Sequence, residues 1–332
     1  MASPFPLPIL FLLFLSIPFS SAKLNVDYYK KTCPDFNRIV TEQVFNKQST
    51  SPTTAPGILR LFFHDCISGG CDASLLVTST AYNPHAERDS ESNLSLSGDA
   101  FDIIQKIKNA LELACPGVVS CSDIIAQATR DLVKMVGGPY YNVRLGRKDS
   151  LISDGSRIES NLPNQYMNMD QIIEKFTSKG LTIKEMVALT GAHTIGFTHC
   201  KEFSNRIFNF SKTTEVDPTM HPKLAAGLRK ICQNYTHDPT MAAFNDVRSP
   251  GKFDNAFFQN VLKGVVLMSS DAILASDPRT RPIVELYAKD EQAFFHDFAK
   301  AMEKLSVHGV KTGKKGEVRS RCDQFNHIPA SA

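Results

Sequence analysis

The sequence predicts a mostly α-helical fold, and three observations predict it. Apolar residues recur at three- and four-residue spacings in several long segments. Helix start and stop signals bracket those segments. The period-two alternation of a half-buried strand is scarce.

In residues 101–111 the apolar Phe101, Ile103, Ile104, Ile107 and Leu111 fall on one helical face, and Cys115-Pro116-Gly117 stops the run. Residues 122–136 repeat the pattern and end at Gly137-Gly138-Pro139. Thr182-Ile183-Lys184-Glu185 is a capping box opening a short apolar helix that runs towards Gly191. Asp277-Pro278 offers an N-cap with proline at the first helical position. Residues 291–305 form a further amphipathic, Phe-rich helix, and residues 141–145 are the best short strand candidate. The tail, 311–332, is polar and expected to be irregular, tied down by Cys322. No Gly/Ser-rich or Pro-rich linker interrupts the chain, so residues 23–332 are expected to form one domain.

The first 22 residues differ from the rest. They carry no charged side chain, their centre is apolar, and Pro18 followed by Ser20-Ser21-Ala22 supplies the break and the small residues of a signal peptide. The apolar run is well short of the ~20 residues that span a bilayer, so no membrane span is expected. Eight cysteines follow, at 33, 66, 71, 115, 121, 200, 232 and 322. An even count behind a leader reads as disulfides made in an oxidising compartment, with the pairing left open. Zinc is the rival reading, but no CxxC and no finger spacing is present. The formal net charge of +3 is spread along the chain, which is no footprint for nucleic acid. Asn209 and Asn234 head sequons expected on the surface; Asn93-Leu94-Ser95 also fits the pattern.

Chemistry concentrates in two clusters. On a helix, Arg60 and His64 stand four apart and share a face, which sets a fixed cation beside an imidazole base. Asp65 points elsewhere, and with Asp72 and Ser74 it supplies hard oxygen ligands suited to calcium. An exposed Arg/His pair is the plainer alternative, but Leu61, Phe62 and Phe63 make the segment apolar. In the second cluster, residues 189–196, His193 lies between small residues that leave room for a flat partner, where a neutral imidazole can ligate haem iron. Taken alone, such a histidine reads as a buried structural residue.

The two together resemble the plant secretory (class III) haem peroxidase family, from about Leu24 to Cys322. The markers are Arg-x-x-Phe-His-Asp-Cys at 60–66, Gly-Cys-Asp-Ala-Ser at 70–74, Val-Ser-Cys at 119–121, Leu-Gly-Arg-x-Asp-Ser at 145–150, Gly-x-His-Thr-x-Gly at 191–196 and Phe-Asp-Asn at 253–255. The resemblance implies a haem-peroxidase fold, two helical halves around a haem b, with two calcium ions. It implies the pairs Cys33–Cys115, Cys66–Cys71, Cys121–Cys322 and Cys200–Cys232. His64 would be the acid–base residue, Arg60 the transition-state stabiliser and Phe63 a packing face for the haem. Asn93 would accept a hydrogen bond from His64 Nδ1. His193 would be the axial ligand, and Asp271 would accept its Nδ1–H. Pro163 matches the position associated with aromatic donors.

One calcium would take Asp65, the Ser68 and Gly70 carbonyls, Asp72 and Ser74. The other would take Thr194, Asp246, Ser249, the Lys252 carbonyl and Asp254, with Ser249 where threonine is usual. The chain carries no tryptophan, and Glu91 stands where relatives can carry an aromatic at the haem edge. The other seven histidines are expected to be surface or structural. The function implied is a secreted, monomeric peroxidase of the extracellular space or cell wall, reducing hydrogen peroxide while oxidising phenolic donors. A haem-binding homologue with little turnover is the alternative. A Ser/His/Asp hydrolase is disfavoured, since no Gly-x-Ser-x-Gly elbow occurs.

Overall fold

Helix formation follows the apolar spacing from the start of the computed structural model, which describes residues 24–327. The expected leader lies outside those residues. Helix α1 (Phe36–Thr50) buries Phe36, Ile39, Val40 and Val44, a stripe at helical spacing. Helix α2 (Thr54–Ser68) is buried over most of its length, including His64 and Asp65. Helices α3 (Gly98–Ala114) and α4 (Cys121–Met135) contain the two periodic segments read from sequence. Helix α4 is capped by Ser120, whose side chain accepts from Asp123 N. These four helices pack on one another, α4 against both α1 and α2.

The second group begins with α5 (Ser156–Asn161), α6 (Met169–Thr177) and α7 (Ile183–Thr190). Both halves of the expected capping box are made at Thr182 and Glu185. A single 3-10 turn, Gly191–Thr194, continues α7 and carries His193. Strand β1 (Phe197–His199) follows, then α8 (Ser204–Ile207), α9 (Pro222–Ile231) and β2 (Ala242–Phe244). β1 and β2 pair antiparallel, with Thr198 opposite Ala243. The chain then forms α10 (Ala256–Leu262), α11 (Ser269–Ala272), α12 (Arg281–Lys289) and α13 (Glu291–Leu305). α13 packs on α7 and α12, and α10 on α12. Among the described residues, no helix is long and apolar enough to cross a membrane.

Most of the buried side chains form one continuous core that both helix groups share, and a smaller cluster lies under α8 and α9 around Cys200, Phe203 and Cys232. The four disulfides join the expected pairs, Cys33–Cys115, Cys66–Cys71, Cys121–Cys322 and Cys200–Cys232. Cys121–Cys322 ties the irregular tail to the head of α4. The tail is held by more than that bond: Arg319 is fully buried and donates to the carbonyls of Ala73 and Ser150.

Two local expectations are corrected. Residues 141–145 alternate buried and exposed as a strand would, but only Leu145 finds a partner, in a bridge to Asn25. The strands lie instead at β1 and β2, too short for alternation to stand out. Asp277 does not cap a helix. Its side chain accepts from Arg279 N and binds the Arg279 guanidinium, and α12 begins at Arg281 with its proline in the first turn.

The Phe-rich α13 is where the core is densest. Phe294 lies within ring contact of Phe253, Phe258, Tyr287 and Phe298, at centroid separations of 4.9 to 5.8 Å. It also presses on Gly191, where an added Cβ would fall 2.4 Å from its ring. Phe294→Ala is expected to cost about 3–5 kcal/mol, measured as the change in unfolding free energy by denaturant titration. A loss below ~1 kcal/mol would mean that this cluster does not anchor the turn carrying His193.

Candidate active site

His64 sits on the last turns of α2, and the apolar stretch around it keeps it buried. Its Nδ1 lies 2.7 Å from Asn93 Oδ1. Asn93 is fixed in turn: its Nδ2 donates to the Glu87 carbonyl at 2.7 Å. With Nδ1 engaged, Nε2 is the nitrogen left for proton transfer. Burial, then the neighbouring Arg60 charge, pushes the His64 pKa down to about 3, so the ring is neutral.

Arg60 lies one turn earlier on the same helix, and its guanidinium donates to Ser95 O and Ser95 Oγ, both at 2.9 Å. It is solvent-accessible, yet loss of hydration lowers its pKa. The Arg60 charge also reaches His193, where it disfavours protonation. The His193 side chain keeps 38% of its surface exposed, although it stands between packed helices. His193 Nδ1 lies 3.0 Å from Asp271 Oδ1. Burial opposes protonation of His193, and the Asp271 carboxylate, by charge and by hydrogen bond, outweighs it, so the pKa is raised. Phe63, half-buried, stands edge-on to His64, with centroids 6.3 Å apart.

The oxygen-rich loop closed by Cys66–Cys71 gathers Asp65, Ser68, Gly70, Asp72 and Ser74, all buried. Asp65 accepts from Ala73 N at 3.0 Å, and Asp72 from Ser74 N at 3.2 Å. Glu87, which the motifs do not single out, belongs to this group: it accepts from Ser74 Oγ at 2.8 Å, while its Oε1 is buried without a partner. Burial, then the Asp72 charge, raises Asp65 well above the carboxylate range. Burial, with Asp72 adding to it, pushes Glu87 up to about 7. Three buried acids with an orphaned oxygen fit a cation. The donors are mixed, however: among the described residues, no group of three His, Cys, Asp or Glu side chains is arranged to hold a metal by itself.

The second expected set is less gathered. Thr194 Oγ1 donates to Asp254 Oδ1 at 3.3 Å, and the Lys252 ammonium lies 3.6 Å from Asp254 Oδ2. Ser249 Oγ donates to Asp246 Oδ2 at 3.0 Å, and Asn260 Nδ2 to Asp246 Oδ1 at 2.9 Å. These are two small hydrogen-bonded groups, and in the second Asn260 Oδ1 is buried without a partner. Pro163 is half-buried just beyond α5. Glu91 is exposed in the turn leading to Asn93. Of the seven remaining histidines, five are exposed and His199 and His308 are half-buried. His221 caps α9, a role that its place before Pro222 could have signalled.

A helical fold that holds a buried imidazole on an asparagine, a guanidinium one turn away and a second imidazole backed by a carboxylate suits an oxidoreductase that binds a flat cofactor. The peroxidase family model matches residues 40–290, and the chain belongs to that family. It is similar to three Arabidopsis thaliana proteins: Peroxidase 6, 58% identical over 96% of this chain and 97% of the relative; Peroxidase 65, 55% identical over 97% and 96%; and Peroxidase 41, 57% identical over 92% of each. The family implies haem, and the accessible faces of His193 and Arg60 suit it.

The Glu87 position gives a test that needs no turnover. In chelator-treated protein, an acid with a raised folded-state pKa favours folding less as pH climbs from its ordinary value, 4.5, to about 7. Glu87→Gln lacks this penalty. Its stability relative to the parent should therefore rise across that window, by about 1–3 kcal/mol, read from unfolding curves at several pH values. A difference independent of pH would contradict the assignment.

Proposed function

We propose that this chain is a secreted haem b peroxidase with two bound calcium ions. It reduces hydrogen peroxide to water and oxidises phenolic donors one electron at a time. Such activity serves peroxide removal, the response to oxidative stress and cell-wall polymer chemistry. The observation that carries the reading is the pair of imidazoles, each held through Nδ1, with Arg60 one helical turn from the first. The reading takes residues 1–22 as a leader and 23–332 as one monomeric domain of the extracellular space or cell wall, with Asn209 and Asn234, both exposed, as glycan acceptors.

Haem, when bound, supplies the redox chemistry. His193 would hold it through Nε2, with Asp271 raising the ring's donor strength. Phe63 would pack on the haem face. His64 Nε2 takes a proton from one peroxide oxygen and returns it to the other, so that water leaves. Arg60 stabilises the charge that develops as it goes. Asn93 holds His64 in the tautomer this requires. Donors would approach past Pro163. Asp65, Ser68, Gly70, Asp72 and Ser74 would hold one calcium ion, and Thr194, Asp246, Ser249, Lys252 and Asp254 the other.

Replacing the acid–base group isolates its share. His64→Ala should lower the second-order rate with peroxide by about 10²–10⁴-fold in stopped-flow measurements, with haem still bound. An unchanged rate would remove His64 from the mechanism. The pH profile offers a second check. The base is competent above its pKa, so the peroxide rate should hold its plateau through pH 6.5 and fall only as pH approaches about 3. A drop centred near 6.5 would mean that burial does not keep the ring neutral.

A further inference from the structure

One short segment meets α2 at successive turns along the face that carries Arg60 and His64. Asn93 Oδ1 lies 2.7 Å from His64 Nδ1. Two residues on, Ser95 takes Arg60. The guanidinium donates from one terminal nitrogen to Ser95 O and from the other to Ser95 Oγ, both at 2.9 Å. Two residues further, Ser97 packs on Gly57, where an added Cβ would fall 3.4 Å from the Ser97 Cβ. Residues 93–97 therefore run antiparallel to α2, and Leu96, buried in the core, pins them there. Leu96 N also donates to Asn93 O at 2.9 Å, closing the turn around Ser95. Ser95 is thus held from both sides. The two acceptors it offers are uncharged, so they fix the guanidinium without supplying a counter-ion. Among the described residues, these are the only hydrogen bonds Arg60 makes.

We propose that Ser95 is the positioning residue for Arg60, setting where the guanidinium charge stands relative to His64. The inference rests on the reading of Arg60 as the group that stabilises the departing charge. An arginine has a long, freely rotating stem, so a charge needed at one point must be held there. Two acceptors on one residue match the planar fork of the guanidinium, which fixes its orientation and its place together. A carboxylate in the same position would hold the group as well, but it would offset the charge. The serine hydroxyl leaves the charge whole. Asn93 orients the base and Ser95 places the cation, so one segment sets the separation of the two groups that act on peroxide.

The test compares the holoenzyme with Ser95→Ala, which keeps the carbonyl and loses the hydroxyl, and with Ser95→Thr, which keeps both. Two quantities are read: the second-order rate with peroxide by stopped flow, and the Kd of fluoride on the resting protein by absorption titration. Fluoride is an anion that ligates ferric haem, so its affinity reports the nearby guanidinium without turnover. Ser95→Ala should lower the rate and raise the fluoride Kd, each by about three- to tenfold, the worth of one hydrogen bond. Ser95→Thr should restore both. Ser95→Ala combined with Arg60→Leu should be no slower than Arg60→Leu alone, because Ser95 acts only through the guanidinium. Values unmoved by Ser95→Ala, or a loss of the same size in the Arg60→Leu background, would overturn the proposal. Should Arg60→Leu itself leave the peroxide rate unchanged, the reading of Arg60 fails instead, and the fluoride Kd of Ser95→Ala still decides whether Ser95 places the guanidinium.

Discussion

The hydrogen bond between His64 Nδ1 and Asn93 Oδ1 is the contact around which this molecule is arranged. A buried imidazole needs a partner at Nδ1 to fix its tautomer, and Asn93 can serve only if its own amide is held. Glu87 meets that need through its backbone carbonyl. The Glu87 side chain then reaches Ser74, in the loop that the Cys66–Cys71 bond closes. Asp65, next to His64 on α2, faces the same loop. The orientation of His64 and the oxygen-rich loop thus share one anchor, Glu87.

A second layer of buried polar contacts holds the loop in position. Arg147 and Asp123 pair at 2.8 Å in the interior, and Tyr29 donates to the same carboxylate at 2.7 Å. Asp149 accepts from the backbone of Cys121, Ser122 and Arg319. Ser150 N donates to the Asp72 carbonyl. Arg147, Asp149 and Ser150 belong to one short motif at 145–150, so that motif serves the architecture. Breaking such a buried pair leaves an uncompensated charge, which is far costlier than never having made it.

Much of this was legible in the sequence because periodicity and caps are local. The segments in α3, α4 and α13, and the capping box of α7, need only neighbouring residues to be read. His64 and His193 were legible as candidates, since each stands in an apolar or small-residue setting. Features that depend on distant partners were not. The alternation at 141–145 is real, but a strand requires a neighbour, and only Leu145 has one. Asp277-Pro278 has the look of a helix start, yet Arg279 claims the carboxylate. Nothing local marks Glu87 out until the fold brings Ser74 to it.

Asn93 also heads a glycosylation sequon, Asn93-Leu94-Ser95, and its side chain is 2% exposed. A sugar would be attached at the very nitrogen that donates to the Glu87 carbonyl. A glycosylated Nδ2 keeps one N–H, but the sugar needs open space beside it, which a residue this buried does not have. In the folded chain the buried side chain leaves no room for that sugar, so the packing of the 87–95 segment itself closes the sequon.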